Sequence, residues 1–147
     1  MNRPPARQLP LGPLVAAAGA LLLIASLFLD WYDQITGFTV FEFLDLLLVM
    51  CALATIASLA GGLGLVRPAP SPGVSLAVAL FTLFVVASQV INDPPAVAGA
   101  AGPSRSIGIW LALGGAALMA VGAFLGYARI SLAFESRGRP DDPPPRP

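Results

Sequence analysis

Four apolar runs of roughly 17 to 25 residues each, about the length an α-helix needs to cross a 30 Å hydrocarbon core, alternate with short polar or proline-rich stretches along this chain. They predict helices over about 14–29, 43–66, 73–91 and 107–128. A Pro/Arg leader occupies 1–13, and a helix extension with a Pro-rich tail occupies 129–147. The expected fold class is an all-α, integral membrane four-helix bundle.

The residues between the runs sharpen the boundaries. The first run passes straight into "SLFLDWY" with no small-x-small site and polar sequence behind it, so a retained helix is expected rather than a cleaved signal peptide. In "FTVFEF", Thr39 and Glu42 have the spacing of a capping box, and Phe38 and Phe43 that of its hydrophobic staple. The second helix is then expected to end at Arg67, before the turn "PAPSPG". Ser71 followed by Pro72 reads as an N-cap with proline at the first helical position, and Asn92, Asp93 and two prolines close that third run. Ser106 can cap the fourth, and "RISLAFESR" can prolong it to Gly138. The remaining tail should be disordered or polyproline-like. Its Pro140, Pro143 and Arg146 fit a PxxPxxR ligand spacing, which a tail so rich in proline produces by chance.

Composition supports the membrane reading: 56% of residues are hydrophobic and only 11% charged, far from a soluble globule. Every base is arginine. With no histidine, the commonest metal ligand and neutral-pH proton relay is missing. The lone Cys51 lies in an apolar run and reads as a small packed hydrophobe. Arginine positions set an orientation, because cytoplasmic loops collect positive charge. Arg3, Arg7, Arg67, Arg129, Arg137, Arg139 and Arg146 fall on one side and Arg105 alone on the other, which places both termini in the cytoplasm. The outer side then holds Asp30, Asp33, Glu42, Asp45 and Asp93. Trp31, Tyr32 and Trp110 also fall at that boundary, where an interfacial aromatic belt is expected.

An acid inside a membrane span is a functional hypothesis by default, so the depth of Asp45 matters. Were the helix continuous from Val40 to Val66, counting back about 20 residues from its inner end reaches position 46 or 47. Asp45 would sit at the outer boundary, one turn from Glu42. Asp30, Asp33, Glu42 and Asp45 therefore read as a wet acidic rim, with an outward-facing cation or proton site as the alternative. Deeper polar residues are few: Thr55, Ser58, Thr82, Ser88 and Gln89. Such groups commonly bond their own backbone or a neighbouring helix. Small residues at four-residue spacing, Ala57 with Gly61 and Gly122 with Gly126, are candidates for close helix packing. The first and fourth runs can also be laid against each other, as Ala/Leu-rich helices easily can.

The stretch "SLFLDWYDQITGFTVFEFLDLLLVM" resembles small four-helix membrane proteins of unknown function from actinobacteria and other GC-rich bacteria. Phe28, Leu29, Trp31, Tyr32, Leu44, Asp45, Leu47 and Leu48 carry the likeness. Asp30 stands where proline is usual, and Phe41 where tryptophan often precedes the acid. The resemblance implies a multi-pass protein of the plasma (inner) membrane and supplies no activity.

No nucleophile with a base, metal set or phosphate loop can be assembled, so no enzyme, cofactor or nucleic-acid partner is expected. The expectation is a non-enzymatic accessory or structural subunit partnered by the bilayer and by another membrane protein or a second copy of itself. The alternative is a small homo-oligomeric transporter or channel using Glu42 and Asp45.

Overall fold

The computed structural model describes residues 11–32, 35–40, 43–67, 70–92 and 104–137, with the side chains of 39, 40 and 129–137 left out. In chain order the elements are α1 (Leu11–Leu27), β1 (Asp30–Tyr32), β2 (Ile35–Thr36), α2 (Gly37–Val40), α3 (Leu44–Gly62), α4 (Pro72–Ile91) and α5 (Ile107–Arg137). The four long helices form a ring in which α1 packs on α3 and α5, and α4 on α3 and α5. Three of them are long and apolar enough to cross a membrane: α3, α4, and α5 over Ile107–Ala128. The 17 residues of α1 make a shorter apolar helix, about 26 Å at 1.5 Å per residue.

The expected boundaries shift at three places. First, α1 takes in Gly12 and Pro13 from the expected leader; a proline in the first turn removes no intrahelical bond, because those N–H groups have no partner there. It ends at Leu27, where Phe28 and Leu29 donate three residues back, to Ala25 and Ser26 at 3.2 and 3.1 Å. Second, Ile35 and Thr36, between the first two expected helices, pair with β1, Asp30 lying opposite Thr36 and Tyr32 opposite Ile35.

Third, α3 starts at Leu44 and stops at Gly62, four residues before the apolar run does. Thr39 lies inside α2 rather than at the cap of α3, and Phe43 holds the cap position without a side-chain bond. Glu42 lies outside the described residues. The expected staple does not form either: the Phe38 ring meets Phe28 edge-on at 5.0 Å, and Phe43 is exposed. At the far end Gly64 adopts φ 75°, its N–H reaching Gly61 O at 2.9 Å and that of Leu65 reaching Ala60 O at 2.8 Å. This pair of bonds is a Schellman motif, which turns the chain out of the helix where only glycine enters the left-handed region without strain.

The expected opening of α4 fares better. Ser71 sits in extended backbone ahead of Pro72 and accepts from Val74 N at 3.3 Å, so α4 opens as its sequence implies. The extension of α5 to Arg137 is also helical.

The closest packing is between α1 and α5, which run antiparallel, with Gly12 level with Gly126 and Gly19 with Gly115. A Cβ on Gly19 would lie 2.5 Å from Gly115 O, and one on Gly115 would lie 2.8 Å from both Gly19 O and Leu23 N. On Gly122 it would fall against Ala16 N and Gly12 O. The two backbones touch along most of α1, as small residues permit between membrane helices. Gly122 is thus a packing residue; Gly126, half-buried and level with Gly12, would with a Cβ meet only Pro13 Cδ at 3.7 Å. Ala57 and Gly61 are only half-buried, and Gly62 beside them has open space where a Cβ would go.

Candidate functional site

Of the acids and aromatics singled out in the sequence, Asp30, Asp45, Trp31, Tyr32 and Trp110 lie at the end of the bundle that carries β1 and β2, where α1 and α4 finish and α3 and α5 begin. Trp31 and Tyr32, expected in a lipid-facing belt, are wholly buried instead. The reason is local. The indole N–H of Trp31 donates to Ser26 O at 2.9 Å, and two glycines clear the space around its ring. A Cβ on Gly37 would come within 2.9 Å of Trp31 Nε1, and one on Gly108 within 2.8 Å of Trp31 Cδ1. Trp110 remains exposed, as a belt residue would be.

Tyr32 and Arg105 close the same end from two sides. Tyr32 pairs with Arg105 across an antiparallel bridge, and Ser106 N–H donates to Trp31 O at 2.9 Å. The Tyr32 hydroxyl donates to Gln89 O at 2.5 Å and Arg105 Nε to Val90 O at 2.9 Å. Asn92 N and Nδ2 donate to Ser88 O at 2.9 and 3.3 Å. The last carbonyls of α4, which no helical N–H can reach, are therefore capped by groups from β1, from the α4–α5 connection and from the helix's own C-cap. A cation at a helix C-terminus is also favoured by the helix dipole.

The expected acidic rim is only partly described. Asp30 is exposed on β1, and Asp45 is half-buried in the first turn of α3, its Oδ1 accepting from Leu46 N at 2.6 Å. Asp33 and Glu42 lie outside the described residues. Among the described residues no three acids, cysteines or histidines form a metal-binding group. The Gln89 amide Nε2 donates to Ser88 Oγ at 3.3 Å.

Inside the bundle the buried hydroxyls bond their own helices: Ser26 to Leu23 O at 2.6 Å, Thr55 to Cys51 O at 3.0 Å and Thr82 to Val78 O at 2.8 Å. Ser58 bridges α3 to α4, its Oγ lying 2.9 Å from Ser75 Oγ. Among the described residues no buried polar side-chain atom lacks a partner. Large apolar side chains such as Leu46, Met50, Leu53, Phe81, Phe84 and Phe124 face outward instead.

The sequence reading missed the glycines that do most here: Gly12, Gly19 and Gly115 in the α1–α5 seam, Gly37 and Gly108 around Trp31. Their spacing was a usable signal. Gly12 and Gly19 are seven apart, as are Gly108, Gly115 and Gly122, the repeat of a seam between paired helices. Among glycines alone, four-residue spacing in the seam gives Gly122 with Gly126.

Fold and site together define a class: a small, mostly all-α protein of four long helices, three of them apolar enough to cross a membrane, with an interior of closed hydroxyls and one end plugged by aromatics. Compared with known proteins, the chain matches no family model, no curated protein and no solved structure.

Proposed function

We propose that this chain is a non-enzymatic, multi-pass protein of a bacterial plasma membrane, acting as an accessory or structural subunit with both termini in the cytoplasm. The observation that carries the reading is the inside-out distribution of polarity. Large aliphatic and aromatic side chains cover α3, α4 and α5, while each buried hydroxyl is satisfied within the bundle. Lipid is the solvent that rewards this arrangement. A protein that moves a polar solute through its own interior would normally present ionisable groups near mid-span, and α3 and α4 carry no charged residue between Asp45 and Arg67 or between Pro72 and Ile91. The orientation rests on the seven arginines assigned to one side against Arg105 on the other.

Native purification from membranes tests the role. A second polypeptide should co-purify in constant proportion; a pure homo-oligomer that passes cations in liposomes would replace the accessory reading with transport through the acidic end. Orientation is read by labelling single cysteines with a membrane-impermeant maleimide in intact cells. A probe replacing exposed Asp30 should react and one replacing exposed Pro70 should not. The opposite pattern would invert the topology.

A further inference from the structure

The apolar run that contains α3 outlasts the helix. Gly62 ends α3, the Schellman bonds of Gly64 and Leu65 turn the chain away, and Leu65, Val66 and Arg67 follow as non-helical backbone. Leu65 is 76% exposed and Val66 42% exposed, beside an exposed Arg67. Non-helical backbone facing lipid is not tolerated in the hydrocarbon core, where its N–H and C=O groups have no partners. Two adjacent exposed aliphatic side chains are equally out of place in bulk water. The headgroup layer meets both demands, since it offers polar partners to the backbone and acyl-chain ends to the side chains.

We propose that the turn Leu63–Arg67 is a phospholipid anchor: Leu65 and Val66 enter the acyl boundary of the cytoplasmic leaflet, and the Arg67 guanidinium binds lipid phosphate. The charge is complementary, because that leaflet is anionic, and a guanidinium pairs two N–H groups with phosphate oxygens. Its aliphatic stem lies along apolar surface while its head stays among polar groups. The anchor has a consequence at the other end of α3. Its 19 residues span about 28 Å, close to the hydrocarbon thickness of about 30 Å. Holding Gly62 at the inner boundary therefore holds Asp45 at the outer one, hydrated rather than buried in the core.

This proposal rests on the membrane reading, and one experiment separates the two. Spin labels are placed singly at positions 53, 65, 66 and 70 in a Cys51→Ala background. The protein is reconstituted in vesicles of phosphatidylethanolamine and phosphatidylglycerol, and collisions with oxygen and with a water-soluble nickel chelate are compared. Position 53, exposed in mid-α3, should be oxygen-rich; a water-like signal there would sink the membrane reading itself. With position 53 in hydrocarbon, positions 65 and 66 should favour oxygen several-fold more than position 70. Signals at 65 and 66 equal to that at 70 would overturn the anchor alone. Arg67→Gln should move positions 65 and 66 toward water in these vesicles, and less in phosphatidylcholine vesicles, where each phosphate is balanced by its own choline cation. No shift on Arg67→Gln in either lipid would overturn the phosphate contact.

Discussion

The α1–α5 seam and the α3–α4 pair are built from similar sequence and come out differently. Both α3 and α5 carry small residues at four-residue spacing, Ala57 with Gly61 and Gly122 with Gly126. Of these only Gly122 would press a Cβ into a partner backbone, because α1 presents Gly12, Ala16 and Gly19 in matching register. The partner of α3 on its other side, α4, packs on it less extensively, joined by a hydroxyl pair between Ser58 and Ser75. In the α1–α5 seam, small residues bring two helices together because the facing helix is small at the same level. Close contact is a property of the pair, and neither sequence alone announces it.

Adjacent glycines on α5 give this comparison its largest expected effect. A Cβ on Gly115 would strike the α1 backbone, whereas one on Gly114 meets nothing within 4 Å. Gly115→Ala should therefore lose about 1–3 kcal/mol, the usual range for overpacking a close contact. Gly114→Ala should lose nothing and can gain up to about 1 kcal/mol from helix propensity. Unfolding in detergent micelles, followed by helical circular dichroism, reads both. Equal effects at the two positions would mean that α1 and α5 are not held backbone to backbone.

Much of the fold was legible because it depends on local chemistry. The third helix opened where Ser71 and Pro72 said it would, and α5 ran on to Arg137, since a cap or a propensity acts within a turn or two. The misplaced features depend on backbone conformation and packing that spacing and hydropathy do not encode. Trp31 reads as an interfacial aromatic until Ser26, Gly37 and Gly108 are seen to enclose it. The start of α3 looked like a capping box because spacing alone cannot show that Thr39 belongs to a separate short helix. Its end looked like Val66 because hydropathy does not register a glycine at positive φ. At the candidate acidic rim, what could be read was that acids fall near one end of the bundle. Whether they converge is a matter of tertiary placement, and the structure describes only Asp30 and Asp45 of the four.

The smallest expected effect lies at the Ser58–Ser75 contact, and counting protons shows why. The two hydroxyls own two hydrogens and share three contacts: Ala54 O from Ser58 at 3.0 Å, Ser71 O from Ser75 at 3.3 Å, and each other at 2.9 Å. Removing either hydroxyl leaves the survivor a backbone carbonyl on its own helix, so no donor is stranded. Ser58→Ala should cost no more than about 0.6 kcal/mol, the average for hydrogen bonds between membrane helices. A double-mutant cycle with Ser75→Ala isolates the coupling between the two hydroxyls, and that coupling should be equally small. The α1–α5 seam has no such fallback, since the atoms that a new Cβ would strike are main chain and retreat only if the whole helix moves. A coupling of 2 kcal/mol or more at Ser58–Ser75 would reverse the ranking and make the hydroxyl bridge, rather than lipid and loop connectivity, what holds α3 against α4.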